Sequence, residues 1–554
     1  MNIAERLRQT AISRPDQPGV IVPARPNRFW SSTARQISFV QLDRESDLVA
    51  AGLVARGIGP GKRMVLMVPP GIEFLTLVFA LFKTGAVIVL IDPGMGRRSL
   101  ISCLEEAAPD GFVGVPIVQW ARWFYRRRFP QAAINVTVPA RRSKVLGLAA
   151  DLRLPHSSPL PICPRQPTDP AAVIFTSGST GPPKGVLYEH GMFQAQVDLL
   201  RDFYKVQPGE VDLPGFPLFA LFNAAMSVTT VVPDMNPTRP ADVDPRKIRH
   251  AIETYGVTQV FGSPAFWNRV GRYCEQEQVT FPQVRRALSA GGPVPEHVLR
   301  RVSQALTGPG ADLQTPYGAT ESLPVASIAA RDVLANTIER TRRGAGTCVG
   351  RIFPQTEVRI IEITNGAISN IAQARPLAMG EIGEIIVRSP AVTREYLLRP
   401  EATRSAKIPA GDGFWHRIGD AGYLDEEHRL WFCGRVAQVV DTASGRLFTE
   451  RCEPIFNTHT HVYRSALIGR GTKPNEEPLL IVEPEPGRYP ETPTARLQFA
   501  MELRELAARF PTTQSIREFE FHRSLPVDTR HNVKIQREQL KSEFARSSKT
   551  KNPD

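Results

Sequence analysis

The run Thr176-Ser177-Gly178-Ser179-Thr180-Gly181-Pro182-Pro183-Lys184-Gly185 gathers hydroxyls, glycines and a lysine in one short segment. Glycines let a backbone turn tightly and point its N–H groups inward, and the hydroxyls and ammonium add further donors. Together they suit the oxygens of a polyphosphate. The order is not that of a Walker loop, where Ser or Thr follows the lysine at a helix start; here Gly185 follows Lys184. A flexible polar linker is the competing reading. A linker needs neither a lysine after two prolines nor an apolar run leading into it.

The elements around this loop alternate. The apolar run 171–175 predicts a buried strand entering the loop, and helical spacing begins at His190. Upstream, 38–57 has helical spacing in Leu42, Leu48, Val49 and Leu53 and stops at Gly57-Ile58-Gly59-Pro60-Gly61. Then come a strand at 63–68, an apolar helix at 71–84 and a second strand at 86–91. That β-α-β rhythm implies a parallel sheet with helices on its faces. It resumes after a proline-rich gap with strands at 257–261, 284–289 and 312–315. From about 350 the texture changes to alternating β-branched runs, 357–363 and 384–388, typical of antiparallel strands. A helix is expected at 494–510.

Composition bounds the answer. The chain has 554 residues, 42% hydrophobic and 22% charged, which excludes a disordered or fibrous protein. The net charge of +13 admits nucleic acid, an anionic membrane surface or an acidic substrate as partner. Most of the excess is arginine spread along the chain and reads as a solvated face. The exception is Trp120-Ala121-Arg122-Trp123-Phe124-Tyr125-Arg126-Arg127-Arg128-Phe129, whose texture suits a membrane surface, an acidic partner protein or a helix packed on its aromatic side. Six cysteines without a C-x-x-C pair fit reduced thiols. The charged N-terminus lacks a signal-peptide core, and the most apolar stretch, 64–91, is broken by Pro69, Pro70, Glu73 and Lys83. A cytoplasmic protein with no transmembrane segment is expected.

Four further strings accompany the loop, in order: Ser289-Ala290-Gly291-Gly292-Pro293; Tyr317-Gly318-Ala319-Thr320-Glu321; the segment 415–425 with Gly419-Asp420 and Gly422-Tyr423-Leu424-Asp425; and Gly434-Arg435. By these five the chain resembles the adenylate-forming, AMP-binding superfamily of acyl-CoA synthetases, firefly luciferase and peptide-synthetase adenylation domains. The resemblance implies an α/β fold. A large N-terminal part, 1–434, would hold two parallel-sheet subdomains and a small β-barrel from about 350. A small mobile α+β lid would follow over 435–546, with a disordered tail at 547–554. It implies ATP and Mg²⁺, with Thr176, Ser177, Gly178, Ser179, Thr180, Gly181 and Lys184 on the phosphates. Gly291, Gly292 and Pro293 would lie beside adenine, Tyr317 would stack on it, and Gly318 and Ala319 would flank it. Thr320 would donate to the α-phosphate, Glu321 would hold Mg²⁺, Asp420 would accept from the ribose hydroxyls and Arg435 would hold ribose or phosphate. Leu525 to Ile535 resembles the superfamily's closing motif, which makes Lys534 the cation that neutralises charge in the transition state. Val533 replaces the usual glycine there, and Ala437 replaces the usual charged residue two after Arg435.

Closer likeness narrows the reaction. Pro69-Pro70-Gly71-Ile72-Glu73-Phe74, Ile91-Asp92-Pro93-Gly94-Met95-Gly96 and the variant Val527-Asp528 to Arg530-His531-Asn532 resemble the olefin β-lactone synthetases of bacterial long-chain olefin biosynthesis. This implies a fatty 2-alkyl-3-hydroxy acid whose own hydroxyl displaces AMP, and a complex with other enzymes of the olefin pathway. A tethered nucleophile would not need a second lid position to deliver a thiol. The apolar stretches 216–226 and 261–267 are candidate acyl walls, with Phe219, Phe222, Asn223, Met226, Phe261 and Phe266 as lining residues; an ordinary core fits them equally. His190 and His531 are candidate bases. An acyl-CoA synthetase is the rival within the superfamily. An inactive scaffold or a nucleic-acid binder is the rival outside it, disfavoured because no nucleic-acid module is present.

Overall fold

The computed structural model describes residues 1–24, 26–27, 30–31, 33–139, 160–175, 183–528 and 534–547. The first sheet has six strands in the order Gly185–Glu189, Pro170–Phe175, Val87–Leu90, Arg63–Met67, Gly111–Gly114 and Ile134–Thr137. All neighbours are parallel except the antiparallel edge pair Gly185–Glu189 and Pro170–Phe175. Helices Phe39–Ala55 and Ile72–Thr84 pack against each other beside the core this sheet shares. The first is opened by Ser38, whose hydroxyl accepts from the Gln41 N–H while the Gln41 side chain accepts from the Ser38 N–H. The second buries twelve of its thirteen residues. Its one buried charge, Lys83, donates to Asp43 and Asp47 at 2.6 Å each, so the buried ammonium is paired.

The second sheet has fourteen strands. Its parallel half runs Pro18–Val22, Thr229–Val231, Val211–Pro214, Gln259–Gly262, Arg286–Ser289 and Asp312–Ala319. At Asp312–Ala319 the chain folds back antiparallel into Ser322–Ala329, and the antiparallel strands Thr347–Ile352, Leu430–Arg435, Gly413–Leu424, Gly383–Arg388 and Glu357–Ile361 continue the sheet from there. The strands expected as a barrel are thus joined edge to edge with the parallel ones. The strand expected to stop at 315 runs on to Ala319, carrying the Tyr317 string within it.

The C-terminal part builds a three-stranded sheet, Val462–Arg470, Glu477–Pro484 and Glu518–Phe521, packed on helices Thr449–Phe456 and Pro493–Ala508. Within its core Arg537 donates to both oxygens of Glu453 at 2.6 and 2.7 Å. The last helix reaches Ser547; the rest of the tail, 548–554, lies outside the described residues. No helix among the described residues is long and apolar enough to cross a membrane.

The two large sheets aim their carboxyl ends at one space. Met67, Ile91, Val115 and Phe175 end or follow strands of the first; Gly215, Ser263, Ser289 and Ala319 do so in the second; all eight line the same cavity. Carboxyl ends of parallel strands, where loops are free to diverge, are where α/β sheets bind ligands.

Candidate active site

That cavity measures about 2390 Å³ and is continuous. Its polar region is organised by the hairpin of Asp312–Ala319 and Ser322–Ala329. Ala319 pairs with Ser322, which leaves Thr320 and Glu321 as the two-residue tip. Gly318 is required beneath the tip, because a Cβ there would lie 2.5 Å from the Ser322 carbonyl oxygen. Tyrosines from elsewhere hold the tip. The Tyr188 hydroxyl donates to the Thr320 carbonyl at 2.6 Å, and the Tyr396 hydroxyl donates to Glu321 Oε1 at 2.8 Å. The Tyr396 ring also sits under Lys184, with Nζ 4.8 Å from its centroid. Lys184 in turn follows Pro183, whose carbonyl accepts from Arg399 at 3.4 Å, while the Arg399 guanidinium grips both oxygens of Glu106 at 2.8 and 2.6 Å.

A second polar group sits where strands Gly413–Leu424 and Leu430–Arg435 pair. Asp420 stands opposite Arg435 in register, and Arg435 Nη1 lies 3.0 Å from Asp420 Oδ1. The Tyr317 hydroxyl donates to Asp420 Oδ2 at 2.6 Å. Burial pushes the Asp420 carboxyl above its usual range, opposed by the Arg435 charge, the Tyr317 hydrogen bond and the charge of Lys534. Burial, followed by the Asp420 charge, holds the Tyr317 phenol well above its ordinary value, so it stays a donor. Beside them Ser289 is buried, with a hydroxyl that has no hydrogen-bond partner among the described residues, and Gly291 takes φ +104°. A buried orphan hydroxyl on a cavity wall is a group awaiting a polar ligand.

The structure brings Lys184, Gly291, Gly292, Pro293, Tyr317, Gly318, Ala319, Thr320, Glu321, Asp420, Arg435 and Lys534 to this one cavity. Lys534 is held by a reciprocal pair, its N–H donating to Asp528 Oδ1 and its carbonyl accepting from the Asp528 N–H, each at 3.0 Å. Thr176, Ser177, Gly178, Ser179, Thr180, Gly181, Val533 and His531 lie outside the described residues. Tyr188, Tyr396 and the Arg399–Glu106 pair were not singled out from sequence; no local pattern marks them.

The apolar region begins at Phe216, Phe219, Phe222 and Phe261, with the rings of Phe219 and Phe261 stacked 3.8 Å apart. Leu100, Ile101, Leu104, Val118, Ala121 and Tyr125 also line it. Three expected lining residues sit elsewhere. Phe266 is wholly buried in the core beside Trp267. Asn223 faces the strands, donating to Asp212 Oδ2 at 2.8 Å and Thr230 Oγ1 at 3.0 Å. Met226 packs in the cluster behind Phe222 and does not line this cavity. His190 is not placed as a base: it is buried outside the cavity, Nδ1 accepts from the Ile3 N–H at 3.3 Å, and burial holds its pKa down to about 4.

Comparison with known proteins agrees with this geometry. The sequence pattern of the AMP-binding enzyme family matches residues 7–397. An olefin beta-lactone synthetase of Xanthomonas campestris pv. campestris is 47% identical over 97% of this chain and 96% of its own. One from Stenotrophomonas maltophilia is 45% identical over 97% of each. Among solved structures, ATP-bound MatB from Rhodopseudomonas palustris shares the fold, with a TM-score of 0.77 at 21% identity over 98% of this chain and 99% of that one.

Proposed function

The chain belongs to the AMP-binding enzyme family, and from that premise we propose that it is an olefin β-lactone synthetase. It uses ATP to activate a long-chain 2-alkyl-3-hydroxy acid and closes it to a β-lactone, releasing AMP and diphosphate. The observation that carries this reading is near full-length identity of 45–47% to two enzymes of that name. The cavity supports it by being lined both by the polar groups above and by apolar residues such as Phe216, Phe219, Phe222 and Phe261.

In the first step a carboxylate oxygen of the acid attacks the α-phosphorus of ATP, and the bond to diphosphate breaks. Tyr317 and the 291–293 loop hold adenine, Asp420 and Arg435 hold ribose, and the loop 176–181 with Lys184 holds the phosphates. Thr320 donates to the α-phosphate, and Lys534 offsets the charge that gathers between carboxylate and phosphate. Glu321, a hard oxygen donor on the cavity wall, is the residue that would hold Mg²⁺, which when bound supplies charge neutralisation across the phosphate oxygens. In the second step the substrate's 3-hydroxyl oxygen attacks the acyl carbon, its proton is released and the bond to AMP breaks. The nucleophile is already tethered, so ring closure has the advantage of an intramolecular reaction.

The test is mass spectrometry after incubation with ATP, Mg²⁺ and a synthetic 2-alkyl-3-hydroxy acid, without coenzyme A. The expected product is the acid less one water, with AMP. Acyl-AMP that accumulates until coenzyme A is added identifies an acyl-CoA synthetase instead. Absence of diphosphate exchange into ATP identifies a protein that does not adenylate.

A further inference from the structure

The helix Pro116–Phe124 has two apolar faces with different surroundings. Val118, Ala121 and Tyr125, spaced three and four apart, line the acyl cavity. Away from the cavity Trp120, Trp123 and Phe124 are 63%, 56% and 65% exposed, and Ile117, at the cavity's edge, is 66% exposed. That spacing places the three aromatic residues on one outward stripe. Trp120 and Phe124 stack at 6.4 Å, so the stripe is a continuous aromatic surface.

Directly after it come Arg126, Arg127 and Arg128, all exposed. Arg126 lies over the Trp123 ring at 4.9 Å, so cation and aromatic share one surface. Arg128 has Glu105 at 3.6 Å, both about half exposed, a pair that solvent screens. A short amphipathic helix with tryptophans outward and a dense cationic end matches the chemistry of a membrane interface. Indole and phenyl rings seat at headgroup depth while guanidinium groups meet lipid phosphates. A soluble ligand would leave the tryptophans in water.

We propose that helix Pro116–Phe124 with Arg126, Arg127 and Arg128 docks the enzyme on an anionic lipid surface, and that this places the cavity wall formed by Val118 and Ala121 beside the bilayer, where a two-chained fatty acid resides. The docking stands on these residues alone. The delivery role rests on the acyl-substrate reading above, and the experiment keeps the two apart because it needs no turnover. Each arginine near an anionic surface contributes about five-fold in partitioning, so the cluster and the aromatic stripe each exceed a ten-fold effect.

The full-length protein is sedimented with vesicles of phosphatidylcholine alone and with phosphatidylcholine containing phosphatidylglycerol, and tryptophan emission is followed. The expected result is binding to the anionic vesicles only, with a blue shift and loss in high salt. Binding should fall at least ten-fold in the triple variant Arg126→Glu, Arg127→Glu, Arg128→Glu and in Trp120→Ser, Trp123→Ser, Phe124→Ser. Both variants should keep the wild-type melting temperature within a few degrees, which shows that they fold. Wild-type protein left in the supernatant with anionic vesicles overturns the proposal. So does equal vesicle binding by wild type and variants, and so does a result in which the variants lose only a protein partner.

Discussion

Asp420 and Arg435 face each other across two antiparallel strands, and their side chains meet at 3.0 Å with the Tyr317 hydroxyl on the other carboxylate oxygen at 2.6 Å. Arg435 is the last residue of its strand, and Val436, Ala437 and Gln438 follow it along the same cavity wall. The group proposed to hold ribose is thus tied to the point where the chain enters its C-terminal part.

Replacing Asp420 by Ala removes a charged acceptor from the ribose site. A hydrogen bond to a charged group contributes about 1.5–3 kcal/mol, so KM for ATP should rise about 10- to 100-fold. Asp420→Asn keeps an acceptor and should lose less. Equilibrium binding of a fluorescent ATP analogue to the two variants checks the ranking, and an unchanged KM in Asp420→Ala would place ribose elsewhere.

Tyr396→Phe deletes the hydroxyl on Glu321 while keeping the ring beneath Lys184. The carboxylate should then be poorly oriented rather than lost. The expected outcome is a rise of about ten-fold in the Mg²⁺ concentration giving half-maximal diphosphate exchange, with Tm within a few degrees of wild type. An unaltered Mg²⁺ dependence would separate Tyr396 from the metal.

The tip residues Thr320 and Glu321 were legible because their string occurs with its companions in fixed order, and the first sheet was legible because strands such as Pro170–Phe175 and Val87–Leu90 are uninterrupted apolar runs. The tyrosines that hold the tip were not. Tyr396 reaches it only because the edge of the first sheet bridges Val186 to Tyr396, a pairing between distant segments that no local period encodes. The acyl wall shows a different limit. In 216–226 hydrophobicity marks every position alike, and only tertiary packing decides that Phe219 and Phe222 face the cavity while Met226 faces the core and Asn223 satisfies Asp212. Phe266 fails for the same reason, one helix further on.

Glu450 gives the molecule a pH signature. Burial, with the neighbouring Glu453 charge, raises its carboxyl to about 7, although the Thr347 hydroxyl donates to it at 3.1 Å. A carboxyl whose folded pKa exceeds its unfolded value of about 4.5 binds its proton more tightly when folded. Its contribution to stability is full below pH ~4.5 and is lost as pH rises through ~7. Glu450→Gln should therefore be more stable than wild type at pH 8, by about 1–2 kcal/mol with a correspondingly higher Tm, and show no gain at pH 4.5. Denaturation curves at the two pH values check this, and a gain of equal size at both would remove the titration from the explanation.

Lys534 shares the cavity with Asp420 and helps to hold that carboxyl ionised, but its proposed task is kinetic. The charge it offsets exists fully only while the carboxylate attacks phosphorus, so an ammonium there stabilises the transition state more than bound ATP. Lys534→Ala should lower the rate of adenylation about 100-fold or more and change KM for ATP only a few-fold. Ring closure begins after that charge has left with diphosphate. Pre-formed acyl-AMP given to the same variant should therefore yield lactone at nearly the wild-type rate. Equal loss in both assays would mean that Lys534 positions the acyl group throughout and does not act on the first step alone.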